Sequence, residues 1–237
     1  MKALRLDIWS DIVCPWCYIG KRRLEAALAL FPHRDAIELV WRAFELDPGA
    51  PRTRDTTGSY AERLATKYGS SVAEAETQLR RMTDLAAAEG LDFRFDRIKP
   101  GNTFDAHRVL HHAATRGVQD AVKERFLRGY MTEGEAIGDP GVVARLAGEA
   151  GLEPDEVHAV LASDDYARDV RADEQEAREL GVTGVPFFVF GRKYAVSGAQ
   201  PAEVHLRAIE QAWRELAAPG GEPVLAEGAI CGPDGCD

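Results

Sequence analysis

Long apolar runs are missing from this 237-residue chain, so it offers no candidate for a membrane-spanning helix, which needs about 20 consecutive apolar residues. Clusters of Lys and Arg are missing as well. The 29 basic residues are outnumbered by 39 acidic ones, for a formal net charge of −10. Nucleic acid and anionic membrane surfaces would repel such a chain, and neither is expected as a partner. The opening stretch Met1-Lys2-Ala3-Leu4-Arg5-Leu6-Asp7 meets charge too early for a signal peptide, so a cytoplasmic location is expected. Internal repeats and low-complexity tracts are absent. Cysteine is scarce, with four in the chain, but all four fall into locally spaced pairs: Cys14 with Cys17, and Cys231 with Cys236. In a reducing compartment such pairs are more often catalytic or metal-binding than structural.

Hydrophobic periodicity divides the chain into three parts. Ala3 to Trp9 alternates, with Leu4, Leu6 and Ile8 on one face and Arg5 and Asp7 on the other, and reads as a strand. Leu24, Ala27, Leu28 and Phe31 fall at helical spacing, predicting a helix from Pro15 to about Phe31, and Ile37 to Trp41 reads as a second strand. A crossover of this kind normally makes the two strands parallel. From Asp47 to Gly181 the signals are helical and predict five or six helices. Ser71-Val72-Ala73-Glu74 is a capping box opening a helix to Glu89, and Asp139-Pro140 is an N-cap followed by proline at the first helical position. Other helices are expected from Thr103 to before Gly117, and over about 120–131, 154–161 and 164–180. Strand character returns in Val185-Pro186-Phe187-Phe188-Val189-Phe190. Gly191-Arg192-Lys193 then turns into Tyr194-Ala195-Val196 as an antiparallel hairpin, and Pro201 opens a last helix. The order is β-α-β, a helical block, then β-β-α.

The chemistry concentrates at Cys14-Pro15-Trp16-Cys17. Proline suits the first helical position, which makes Cys14 the N-cap. There its sulfur can accept from the N–H groups of Trp16 and Cys17 at the positive end of a helix, an arrangement that favours thiolate. A free cysteine titrates at about 8.5, whereas nucleophiles of such motifs fall at roughly 3.5–7. Cys14 is therefore the expected attacking sulfur, and Cys17, one turn on, the resolving one. Pro15 and Trp16 offer apolar surface to a substrate beside the reacting sulfur. A structural pair, or half of a zinc site completed by Cys231 and Cys236, are the competing readings. The expected assignment carries no metal and no cofactor.

With Cys14-Pro15-Trp16-Cys17 after one strand and Thr183-Gly184-Val185-Pro186-Phe187-Phe188 before another, the chain resembles the DsbA-type branch of the thioredoxin fold. The likeness is closest to its FrnE-like cytosolic subgroup. Ser10-Asp11-Ile12-Val13, Trp41-Arg42-Ala43-Phe44-Glu45-Leu46 and Asn102-Thr103-Phe104-Asp105-Ala106-His107-Arg108 carry it further. The resemblance implies an α/β thioredoxin-like domain built from residues 1–46 and 182–217, with residues 47–181 as an all-helical insertion. It implies that Pro186 is cis and faces the dithiol, with the Val185 backbone free to pair with an extended substrate peptide. It also implies thiol-disulfide exchange on protein or peptide partners, with a small thiol or a thioredoxin system for recycling. A buried acid near the dithiol is common in the fold, and Asp7 and Asp11 are the candidates for a proton relay. A related glutathione-dependent isomerase or transferase branch offers a hydroxyl where Cys14 stands, which argues against that alternative.

Residues 218–237 are rich in Gly, Pro and Ala and read as a flexible tail. Cys231-Gly232-Pro233-Asp234-Gly235-Cys236 can bend enough to close a disulfide. Tethering would give it an effective concentration approaching mM near Cys14, so a second redox pair acting as relay or regulator of the first is expected, with a passive tail disulfide and metal binding as the competing readings.

Overall fold

The computed structural model describes residues 3–53, 57–217, 225–226, 231–232 and 235–236. The chain divides into two compact units, one of Met1–Leu46 with Ala172–Asp237 and the other of Asp47–Arg171.

The first unit is a mixed sheet with strand order β2-β1-β3-β4-β5. Strand β1 (Leu4–Ser10), helix α1 (Pro15–Leu30) and strand β2 (Ile37–Ala43) form the expected crossover, and β1 and β2 run parallel with Ile8 opposite Trp41. The hairpin of β3 (Phe187–Phe190) and β4 (Tyr194–Ser197) is antiparallel, and β3 lies antiparallel against β1, setting Phe188 opposite Ile8. Leu4, Leu6, Ile8, Leu24, Phe188, Phe190 and Ile209 belong to one buried cluster that α1 and the terminal helix α9 (Ala202–Ala217) share with the sheet. Burying each of the large apolar side chains contributes about 1.5–3 kcal/mol.

The second face of β1 is buried too. Asp7 and Trp9 expose 2% and 1% of their surface, because helix α8 (Ala167–Glu179) brings Asp173 to the strand edge. The Asp173 carboxylate accepts the Ala43 N–H at 2.8 Å and Arg42 Nη1 at 2.7 Å, and its carbonyl accepts Trp9 Nε1 at 2.9 Å. The boundary expected at residue 181 therefore falls ten residues earlier: the second half of α8 belongs with the sheet.

The tail also departs from expectation. Most of it lies outside the described residues, but its described parts are paired rather than free. Leu225–Ala226 forms β5, parallel to β4. Cys231–Gly232 (β6) and Gly235–Cys236 (β7) pair antiparallel, with Cys231 and Cys236 as register partners.

The second unit holds α2 (Tyr60–Tyr68), α3 (Val72–Ala88), α4 (Phe104–Thr115), α5 (Gln119–Arg128), α6 (Pro140–Glu149) and α7 (Pro154–Ala162), and α8 begins in it. The capping box at Ser71 and Glu74 and the Asp139 cap are both present. Helix α2 is an addition to the expected set, opened by a second capping box of Ser59 and Glu62. The buried Arg108 gathers helix ends: it bonds Asp105 Oδ1 at 2.9 Å, the Asp165 carbonyl at 2.8 Å, and the carbonyls of Val160 and Ser163. Those carbonyls close α7, where a helix leaves acceptors without partners. Among the described residues, no helix is long and apolar enough to cross a membrane.

Candidate active site

Cys14 is the N-cap of α1, in extended conformation (φ −88°, ψ 114°) with Pro15 at the first helical position. The Cys17 N–H donates to its sulfur at 3.3 Å. Only that amide of the expected two makes the bond, since Cys17 stands at the third helical position, where N-cap side chains usually find their donor. The Cys14 N–H donates to the Asp11 carbonyl at 3.3 Å, which closes the turn between β1 and the helix.

The sulfur also reaches across the sequence. The Cys14 thiol donates to the Val185 carbonyl at 3.5 Å, joining residues 171 positions apart. The Val185-Pro186 bond is cis. Gly20, one turn beyond Cys17, makes this approach possible. A Cβ there would stand 2.9 Å from Pro186 Cγ and 3.2 Å from the Phe188 ring. Gly20 is the site residue that the sequence reading misses, although an isolated glycine inside an apolar helix is the usual mark of close packing.

The electrostatics reverse the expectation of a depressed thiol. Cys14 exposes none of its surface and Cys17 1%. Burial pushes the Cys14 thiol well above its ordinary value, and the Cys17 thiol and the Asp11 carboxylate push the same way. The Cys17 amide bond opposes them and is outweighed. Desolvation penalises thiolate more than one helix end favours it. In this state Cys14 is a held thiol, and Cys14 and Cys17 are both free of disulfides.

The two candidate acids separate. Asp11 is buried and accepts the Leu46 N–H at 2.8 Å, and it lies near enough to act on Cys14. Asp7 does not join the site. It sits on the face of β1 opposite Leu6 and Ile8, which pack toward α1, and its carboxylate is held by Arg5 at 2.8 Å and Arg42 at 2.9 Å. Trp16 exposes 9%, and its Nε1–H is buried with no acceptor among the described residues. Cys231 is bonded in a disulfide. A disulfide sulfur offers no thiolate to zinc, so in this state Cys231 cannot complete a metal site with Cys14 and Cys17. Cys231 is also bridged to the Val185 backbone, its N–H 2.6 Å from the Val185 carbonyl.

The model of the DSBA-like thioredoxin domain matches residues 5–210, most of the chain. The chain belongs to the DSBA-like thioredoxin domain family. A probable DsbA oxidoreductase from Streptomyces coelicolor is 48% identical, with 99% of this chain and 98% of that one covered and a TM-score of 0.83. The Bacillus subtilis protein YwbO is 25% identical over 210 residues, spanning 87% of this chain and 96% of that protein. The cytosolic disulfide reductase DsbM of Pseudomonas aeruginosa, solved with GSH, shares the fold. Its TM-score is 0.58 at 16% identity, covering 90% of this chain and 97% of that one. This DSBA-like chain has the α/β thioredoxin fold with a large helical insertion.

Proposed function

We propose that this DSBA-like chain is a dithiol-disulfide oxidoreductase of protein substrates, of the FrnE-like kind and working in the cytoplasm. The observation that carries it is the convergence on one sulfur: the Cys17 amide and the Val185 carbonyl both bond Cys14 Sγ. Exposure of Cys14 lets it ionise, and the thiolate attacks a substrate disulfide. One substrate sulfur leaves as thiolate and the other joins Cys14. Cys17, deprotonated with help from Asp11, then attacks Cys14 Sγ and releases the second substrate thiolate. Two electrons pass to the substrate for each Cys14–Cys17 disulfide formed. The reverse sequence oxidises a dithiol, and exchange without net transfer isomerises a disulfide. Pro15, Trp16, Val185 and Pro186 form the substrate-binding surface.

Cys231 and Cys236 form the second pair. Attack by Cys14 on Cys231 releases the Cys236 thiolate, and attack by Cys17 on Cys14 releases Cys231. The tail disulfide is thereby reduced as the helix pair is oxidised, and a small thiol or a thioredoxin system completes the cycle. The test is Cys17→Ser in the full chain. A mixed disulfide between Cys14 and a protein substrate is expected to accumulate, and its absence would end this assignment.

A further inference from the structure

Val185 has both of its backbone groups turned to one neighbour. Its N–H donates to the Cys231 carbonyl at 2.7 Å, and its C=O accepts the Cys231 N–H at 2.6 Å, a closed antiparallel bridge. The Cys14 thiol donates to that same Val185 oxygen. The tail strand thus lies on the backbone beside the nucleophile, in the pairing that an extended peptide adding to a sheet edge adopts. Two more observations describe a seated occupant. Cys231 exposes none of its surface. Gly232 comes so close to Thr183 that a Cβ would stand 3.0 Å from the Thr183 carbonyl.

We propose that Cys231-Gly232 is a resident pseudosubstrate: it fills the peptide slot along Val185, excludes protein substrates until it is displaced, and reveals that the slot selects a cysteine followed by glycine. This rests on the oxidoreductase reading above and deepens it, because a relay alone requires neither competition nor selection. A tethered strand acts at an effective concentration on the order of mM, so substrate strands that pair weakly with Val185 are kept out. A cysteine followed by a branched residue meets the Thr183 carbonyl, whereas Gly leaves the two backbone bonds unstrained. The buried Cys14 thiol fits this state, since a nucleophile covered in this way is also protected from adventitious oxidants.

The test uses the full-length chain in a Cys14→Ser/Cys17→Ser background, where no exchange occurs and the tail keeps its disulfide. A fluorescein-labelled oxidised peptide copying residues 229–237 is the probe. The Gly232→Val chain is expected to bind it at least about tenfold tighter than the Gly232 chain, because the competing strand has been unseated. A probe carrying Val in place of its own first Gly is expected to lose that gain. Hydrogen exchange gives the second readout: the Cys231 amide is protected in the Gly232 chain and fast in Gly232→Val, with Gly232→Ala between them. Equal affinities of the two chains, absence of binding to Gly232→Val, or a Cys231 amide still protected in Gly232→Val would each overturn the proposal. The underlying reading fails differently, through insulin reduction by the otherwise intact chain that survives Cys14→Ser.

Discussion

The two cysteine pairs are held by opposite means. Cys14 and Cys17 stand one helical turn apart at the start of α1, with the cap bond supplied by their own turn and the surroundings supplied by Gly20, Pro186 and Val185. Cys231 and Cys236 face each other across two short antiparallel strands. Register partners in such strands have Cα atoms about 4.5–5.5 Å apart, inside the usual span of a disulfide. The helix pair is thus embedded in a core whose burial raises the Cys14 thiol, while the tail pair carries its own geometry and borrows only its position from Val185. A pair of the first kind is tuned by desolvation and one of the second kind by docking.

The sharpest way to break this comparison is to remove the embedded sulfur. Cys14→Ser is expected to lower insulin reduction at least about a hundredfold, since a hydroxyl is a far weaker nucleophile than thiolate. A loss of less than tenfold would transfer the chemistry elsewhere. The second way questions the core beneath the helix pair. His205 on α9 is buried with its ring 4.5 Å from that of Phe188, and burial, reinforced by the charge of Arg23, lowers its pKa to about 4. The unfolded chain takes up a proton near pH 6.5. Stability is therefore full above pH 6.5 and falls as the pH drops toward 4, by up to about 3 kcal/mol. Urea midpoints across that window should follow this slope, and His205→Phe should flatten it.

Gly20→Ala comes next. Its Cβ would overlap Pro186 Cγ, which costs about 1–3 kcal/mol by overpacking, and thermal unfolding should move down accordingly. Unchanged stability would mean that α1 is not wedged against Pro186. The smallest effect is expected in the tail. Replacing Cys231 and Cys236 by Ser should alter turnover only about threefold, because the tail's disulfide exchange is lost while Cys14 and Cys17 keep their direct exchange with substrate and small thiols; a loss as large as that of Cys14→Ser would erase the distinction between the pairs. An alkaline experiment sharpens the same point. With the Cys14 thiol raised in the folded chain, stability contributed by that thiol is complete below the unfolded value of about 8.5 and declines as the pH rises beyond it. The decline should vanish in Cys14→Ser.

Much of this was legible in residue order where the cause is local. Leu4, Leu6 and Ile8 announce their face of β1 by alternation, Ser71 and Glu74 announce a helix start, and Pro15 marks Cys14 as a cap. The illegible parts are set by distant partners. Nothing near Asp7 indicates that Arg42 will hold it, or that Asp173 will bury Trp9 from 164 residues away. The Cys14 thiol was misjudged for that reason: the cap that favours thiolate is written in four residues, whereas the burial that overrides it comes from the assembled domain. The pairing of the described tail residues is illegible because glycine and proline composition reports freedom of the isolated chain and is blind to an open sheet edge or to the Val185 backbone.

The interior place of β1 in the sheet, between β2 and β3, sets a timetable for the cell. Its neighbour β3, and the carbonyl that meets Cys14, are made 171 residues after that cysteine. At roughly 5–20 residues per second, synthesis of that stretch takes about 10–30 s. Until then the nascent dithiol has no Val185 to meet, so the ribosome-bound chain passes through an interval in which its sulfurs are open to whatever thiols and oxidants surround it.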